Sequence, residues 1–234
     1  MRPDKRAGES HEARTNALLV LGGTPPPADW LARLASGQRW WIGVDKGAAA
    51  LWQAGLLPHY LVGDLDSLPL ELQETLPGLI ERSGGQVRRY PREKDATDGE
   101  LALRLVPELA RPAPGVILTG VRGGRTSQWL GNLMLLRQAA QAGLAARVEE
   151  PGETIWFLSG PQRMAWAGPP GETVNLVPWT DCRGVTLAGL RWPLEGAYLA
   201  AGSSRGISNV SVEQQVQVEL EQGEMLVVVE HRHD

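Results

Sequence analysis

The chain has 234 residues, 42% hydrophobic and 21% charged, an ordinary globular balance with room for one large domain or two modest ones. Its net charge of −4 and the lack of any basic block exclude a general electrostatic pull toward nucleic acid or anionic membrane. Cys182 is the only cysteine, which excludes an intrachain disulfide or a thiolate metal cluster and fits a reducing cytoplasm.

Residues 1–16 are polar and charged without an apolar core, so a disordered tail is expected there rather than a signal peptide or anchor. No apolar run approaches the ~18 residues of a membrane span, and a soluble cytoplasmic protein is expected. From residue 17 to about 147, short apolar runs alternate with helical stretches. Strands are expected over 17–21, 40–44, 60–62, 87–90 and 116–118, and helices over 46–54, 70–76, 97–109 and 127–142. The last helix starts at a serine cap and stops at Gly143. Pro25-Pro26-Pro27 reads as a stiff loop. Such alternation implies a Rossmann-like, mostly parallel sheet covered on both faces. Ligands of these sheets sit outside the carboxyl ends of the strands. Asp45, Asp64 and the 120–125 loop all follow apolar runs and should meet on that edge.

Beyond Glu150 the helical pattern stops. Short runs at 154–158, 163–167, 173–177, 185–187 and 197–201 are punctuated by Gly and Pro. Two more, 212–220 and 224–230, alternate around Gln222-Gly223, which reads as a hairpin turn. The expected fold is therefore α/β plus all-β. An α/β nucleotide and catalytic domain spans 17–149, and a β-sandwich or barrel-like domain spans 150–234, with a linker near 149–153.

Two acidic runs carry the chemistry. Val62-Gly63-Asp64-Leu65-Asp66-Ser67 leaves a strand end with two carboxylates one residue apart, on one side for as long as the chain stays extended. Such acids repel unless a cation sits between them, and oxygen-only ligands suit Mg²⁺ bridged to substrate phosphates. Lys94-Asp95-Ala96-Thr97-Asp98-Gly99-Glu100 adds acids, a lysine and a threonine at a helix start, where Thr97 caps and phosphate sites also occur. Turn formation alone would also account for Asp and Ser after a strand. Asp45 can equally cap the helix it precedes or touch a ligand. The four histidines, His11, His59, His231 and His233, form no catalytic constellation.

In this order the motifs resemble those of the thiamine pyrophosphokinase family. Val44-Asp45-Lys46-Gly47-Ala48 is similar to its first Asp-x-Gly-Ala element, and Gly63-Asp64-Leu65-Asp66-Ser67 to its Gly-Asp-x-Asp-Ser signature. Asp95-Ala96-Thr97-Asp98, Gly123-Gly124-Arg125, Leu190-Arg191-Trp192-Pro193-Leu194 and Gly206-Ile207-Ser208-Asn209 resemble four further elements. The resemblance implies diphosphate transfer from ATP to the hydroxyl of thiamine, with Mg²⁺ held by Asp64, Asp66 and Asp98. Either Asp98 or Asp64 would receive the alcohol proton. It also implies phosphate contacts from Asp45, Lys94, Thr97 and Arg125, and thiamine contacts from Trp192, Ser208 and Asn209. A cationic thiazolium favours an aromatic face such as Trp192. A homodimer with shared active sites is implied as well. One departure stands out: Ser127 occupies the place of a family acid in Gly123-Gly124-Arg125-Thr126-Ser127-Gln128. Two alternatives therefore stay open, a catalytically impaired thiamine or nucleotide sensor and a diphosphokinase for another hydroxyalkyl heterocycle.

Overall fold

The computed structural model describes residues 15–110 and 115–232. The expected tail lies outside the described residues through position 14, and positions 15 and 16 already belong to the first strand. The chain divides into two compact units, the first ending at Pro151 and the second starting at Gly152.

The first unit runs β1 (Thr15–Val20), α1 (Ala28–Ser36), β2 (Trp40–Val44), α2 (Gly47–Gln53), β3 (Tyr60–Gly63), α3 (Leu70–Arg82), β4 (Gln86–Arg89), α4 (Asp98–Leu109), β5 (Gly115–Thr119), α5 (Thr126–Gln141) and β6 (Ala146–Glu150). Its strands lie in the order β6-β5-β1-β2-β3-β4, and every pair among them is parallel. The chain moves outward from β1 to β4, then returns to β5 on the other side of β1. The topological switch point therefore falls between β1 and β5, where ligands of open parallel sheets collect. Leu18 and Val20 pack with Leu31 and Ala35 of α1 and Leu51 of α2. By alternation Ala17 and Leu19, also fully buried, face the other side, and α4 packs on β1, β2 and β3. Each buried leucine contributes roughly 1.5–3 kcal/mol of transfer free energy.

Two elements of this unit are not in the sequence reading. Helix α1 begins after Pro27 at its N-cap; Asp29 and Arg33 pair at 2.8 Å, and Leu31 and Ala35 supply a narrow buried face. Strand β6 takes in the first two positions of the expected linker, because Val148 is buried and aligns with Leu118 of β5. Helix α3 runs to Arg82, six residues past expectation, as Ile80 extends the buried face of Leu76.

The second unit holds β7 (Glu153–Ser159), β8 (Gln162–Ala167), β9 (Thr173–Pro178), β10 (Cys182–Ala188), β11 (Leu194–Leu199), β12 (Asn209–Val210), β13 (Gln215–Leu220) and β14 (Glu224–Glu230). Antiparallel pairing gives one layer of order β12-β9-β14-β7 and another of order β11-β10-β13-β8. Val174, Leu176, Val227 and Val229 of one layer and Val185, Leu187, Val216 and Val218 of the other share one core. Trp156 of β7 and Trp166 of β8 stack across it at 5.5 Å. The α/β plus β-sandwich expectation holds.

The hairpin expected at Gln222-Gly223 does not form. β13 pairs with β8 and β10, whereas β14 pairs with β7 and β9. The turn carries the chain from one layer to the other. Alternation cannot tell a partner strand from one across the core, since both bury every second residue. Gly223, at φ +105°, is needed because a Cβ there would lie 2.4 Å from the Asp181 carbonyl oxygen. Near the chain end, His231 Nδ1 lies 2.6 Å from buried Glu172 and its Nε2 2.8 Å from Thr154, pinning β14 to its neighbours. No helix among the described residues is long and apolar enough to cross a membrane.

Candidate active site

An open cleft of about 570 Å³ lies at the carboxyl edge of the parallel sheet, a size that suits a small ligand. Gly22 and Gly23 follow β1, Asp45 and Lys46 follow β2, and Asp64 follows β3; Lys94, Thr97 and Asp98 lead into α4. The structure thus brings five of the sequence-derived candidates together: Asp45, Asp64, Lys94, Thr97 and Asp98 all line this cleft.

Asp45 takes φ +48°, and its N–H donates to the Val62 carbonyl at 3.0 Å. Its Oδ1 accepts the Leu65 N–H at 3.4 Å. Gly63 makes this position available: a Cβ there would meet Asp45 Oδ1 at 1.7 Å, and φ is +142°. Burial, reinforced by the neighbouring carboxylates of Asp98 and Asp64, raises the Asp45 carboxyl from 3.8 to about 7. Asp64 Oδ1 accepts the Asp66 N–H at 3.1 Å in a local turn.

Thr97 and Glu100 form a capping box at the start of α4, with Thr97 Oγ1 accepting the Glu100 N–H at 3.2 Å and Glu100 Oε2 accepting the Thr97 N–H at 3.1 Å. The cap points the first turn of α4 at the cleft and fixes Asp98 in it. Lys94 Nζ donates to the Pro91 carbonyl at 3.0 Å and approaches Asp98 Oδ1 at 3.0 Å. Both side chains are mostly buried. Asp98 Oδ1 nonetheless takes no hydrogen bond. The Lys94 ammonium meets part of the Asp98 charge, and the remaining crowding of Asp98 and Asp64 against Asp45 is a repulsion that a further cation would relieve.

Asp66 does not line the cleft. Its carboxylate is half exposed and faces Arg92 at 3.7 Å. The chain stops being extended at Leu65, φ +67°, whose side chain turns into the core, so the two-residue period no longer puts both acids on one side. Arg125 caps α5 from an exposed position, and it and Ser127 lie outside the cleft lining; Gln128 and Asn132, one and two turns along α5, do line it. Among the described residues no three acidic, histidine or cysteine side chains gather tightly enough to form a metal cage.

Gly22, Gly23, Arg92 and Asn132 line the cleft without having been singled out from the sequence. Gly22 and Gly23 had a visible signal, a glycine pair directly after a strand. Asn132 had a fainter one, an amide among the buried leucines of α5. Ser67, the last residue of the Gly-Asp-x-Asp-Ser element, also lines the cleft, and its Oγ accepts the Lys46 N–H at 3.2 Å.

In the β unit, Trp192 is 55% exposed, and the Arg191 guanidinium sits 5.7 Å from its ring centroid. Buried Asn209 clamps the backbone of Trp192: its Oδ1 accepts the Trp192 N–H at 3.1 Å and its Nδ2 donates to the Trp192 carbonyl at 2.8 Å. Oδ1 also accepts the Val210 N–H at 2.9 Å. Exposed Ser208, at φ +61°, donates its N–H to Asn175 Oδ1 at 2.7 Å, and Asn175 Nδ2 reaches Glu230 at 3.1 Å.

Residues 31–148 match the model of the thiamin pyrophosphokinase catalytic domain, and residues 162–225 that of the thiamin pyrophosphokinase vitamin B1 binding domain. A thiamine pyrophosphokinase of Bacillus subtilis is 31% identical over 181 residues, covering 72% of this chain and 77% of the relative. Among solved structures, a thiamin pyrophosphokinase from Geobacillus thermodenitrificans is 26% identical with a TM-score of 0.76, covering 94% of this chain and 99% of that one. The Bacillus subtilis crystal structure has a TM-score of 0.81 at 24% identity, covering 94% and 100%, and supports the fold. With both domain models matched in order and an acid-lined cleft where the first of them lies, the chain belongs to the thiamin pyrophosphokinase family.

Proposed function

We propose that this chain is a thiamine diphosphokinase that moves the terminal diphosphate of ATP to the hydroxyl of thiamine, releasing AMP and thiamine diphosphate. The alcohol oxygen attacks the β-phosphorus, the bond from that phosphorus to the oxygen bridging the α-phosphate breaks, and AMP leaves. The observation that carries this reading is the convergence of Asp45, Asp64 and Asp98 with Lys94 at the carboxyl edge.

Asp64 and Asp98, with Asp45 beside them, are the residues we assign to Mg²⁺; bound there, it would offset charge on the phosphate oxygens. Lys94 sits close enough to Asp98 to hold the carboxylate in place and to share a phosphate oxygen. The N-terminus of α4 adds its dipole to the same point. The alcohol proton passes to a carboxylate of this group. Asp66 serves from the rim through Arg92, and Thr97 acts through the cap. Arg125 reaches ATP only by turning in from its exposed position.

We assign the thiamine ring system to the exposed face of Trp192, where a cation already rests in the form of Arg191. Ser208 supplies a polar contact beside it, and Asn209 holds the tryptophan in place. We further infer a homodimer, supported by large apolar side chains left exposed at Trp129 and Leu130 of α5 and at Trp192, Tyr198 and Ile207 of the β unit. Use of ATP and a buried unpaired cysteine fit a cytoplasmic enzyme. The sensor and other-heterocycle alternatives are not favoured: the family match spans both domains, and Ser127 lies outside the cleft lining.

The test is AMP release from ATP and Mg²⁺ with and without thiamine, with mass detection of the product. Thiamine-dependent AMP and an equal amount of thiamine diphosphate are expected. Binding of thiamine without turnover would overturn the enzyme reading.

A further inference from the structure

Two loops flank the switch point between β1 and β5, and their backbones are bonded together. The Leu21 N–H donates to the Thr119 carbonyl at 2.8 Å, the Gly23 N–H to Gly120 at 2.9 Å and the Thr24 N–H to Arg122 at 2.6 Å. They run so close that a Cβ on Gly23 would lie 2.1 Å from the Arg122 carbonyl oxygen. Gly22 and Gly23 wall the cleft, and the loop after β5 backs them.

That backing loop is itself held from both sides by buried side chains. Glu150, at the end of β6 and 7% exposed, accepts the Val121 N–H at 2.7 Å through Oε1 and the Thr119 hydroxyl at 3.3 Å through Oε2. Asn132 of α5, also 7% exposed, donates Nδ2 to the Val121 carbonyl at 2.9 Å. Val121 therefore has both backbone polar groups bonded to buried side chains on different elements. Burial raises the Glu150 carboxyl, while the N–H groups of Val121 and Arg122, the Thr119 hydroxyl and the Arg122 charge favour its ionised form. A carboxylate buried where none of the candidate catalytic residues needs it calls for another role.

We propose that Glu150 is a positioning residue for ATP: by gripping Val121 it fixes the loop after β5, and through the backbone bonds to Gly23 and Thr24 it fixes the wall of the cleft that receives the polyphosphate. This rests on the ATP-binding reading given above. Glu150 lies behind the cleft lining, so it acts only through Val121, Gly120 and Gly23. Fixed backbone at a phosphate site avoids reorganisation when charge arrives.

The experiment measures ATP affinity by calorimetry and the KM for ATP and thiamine in Glu150→Ala, Glu150→Asp and Glu150→Gln, with melting curves to check folding. Loss of the acceptor leaves the Val121 N–H unpaired, and ATP should bind about 10-fold more weakly in Glu150→Ala, with the thiamine KM and kcat at saturation within about 2-fold. Glu150→Gln keeps an oxygen for the Val121 N–H and should recover most of the affinity. Should Glu150→Ala fail to fold, Glu150→Asp, one methylene too short, carries the same expectation. Unchanged ATP affinity in the folded short or truncated variants, or a glutamine variant as weak as alanine, would overturn the proposal. A wild-type chain that binds ATP but makes no thiamine diphosphate counts against the thiamine reading alone, since the calorimetric comparison still decides the role of Glu150.

Discussion

The α/β unit and the β unit treat their polar groups in opposite ways. At the cleft, carboxylates crowd together: Asp98 has the Lys94 ammonium 3.0 Å away, and Asp45 is still raised to about 7 by burial and by its acidic neighbours. Around Trp192 the polar groups are bonded within the protein, with Asn209 closed on the tryptophan backbone and Asn175 on Ser208. One unit holds charge in a costly arrangement that a cation and phosphates would relieve. The other uses its hydrogen bonds to present a fixed aromatic face. On the function proposed above, electrostatic cost is stored where bonds would be exchanged, and rigidity is placed where a ring would only have to be held.

The largest expected effect comes from discharging the cleft. Asp64→Asn or Asp98→Asn should lower thiamine-dependent AMP release by roughly 10²–10⁴-fold, with the fold intact by circular dichroism. Near-wild-type turnover would remove that residue from the site. The corresponding break in the β unit should be milder and selective. Trp192→Ala should raise the thiamine KM by roughly 5–30-fold, the worth of a cation–π face, and leave the ATP KM alone. Asn209→Ala should reproduce part of that rise, because it frees the Trp192 backbone; equal effects on both substrates would show a general loss of folding instead.

A pH series sharpens the contrast further. The Asp45 carboxyl is raised from 3.8 to about 7, so in the cation-free protein its favourable share of stability is complete below pH 3.8 and is lost as pH climbs through about 7. Asp45→Asn should flatten that decline, with a higher melting temperature than wild type above neutrality, by about 2–4 °C for each kcal/mol relieved. Parallel melting curves at all pH values would mean that Asp45 is not held protonated. The smallest effect is expected at Ser127. Because it is exposed and off the cleft lining, Ser127→Asp should change kcat by less than about 3-fold, well short of the 10²–10⁴ of a general acid or base. A large gain would show that this position reaches the reacting groups.

Much of the site was legible because its signals are local. Asp45 and Asp64 follow strands, and Thr97 and Glu100 spell a capping box within four residues. Signals failed where a local rule met a tertiary event. The turn at Leu65 carried Asp66 out of line with Asp64, and Gln222-Gly223 joined two layers rather than two paired strands. Arg125 follows its motif in sequence yet stands exposed at a helix cap.

By itself the sequence determined the alternation of strands and helices, the change to short strands near Glu150, and the acids Asp45 and Asp64 that follow β2 and β3, since each depends on neighbours within a few residues. Glu150 shows what only the tertiary structure decided. In sequence it is one more acid in a linker, beside Glu149 and Pro151. In the fold it is buried under Val121, a partner 29 positions away. Burial and partnership at that distance are set by which strands lie side by side, and no local pattern encodes that order.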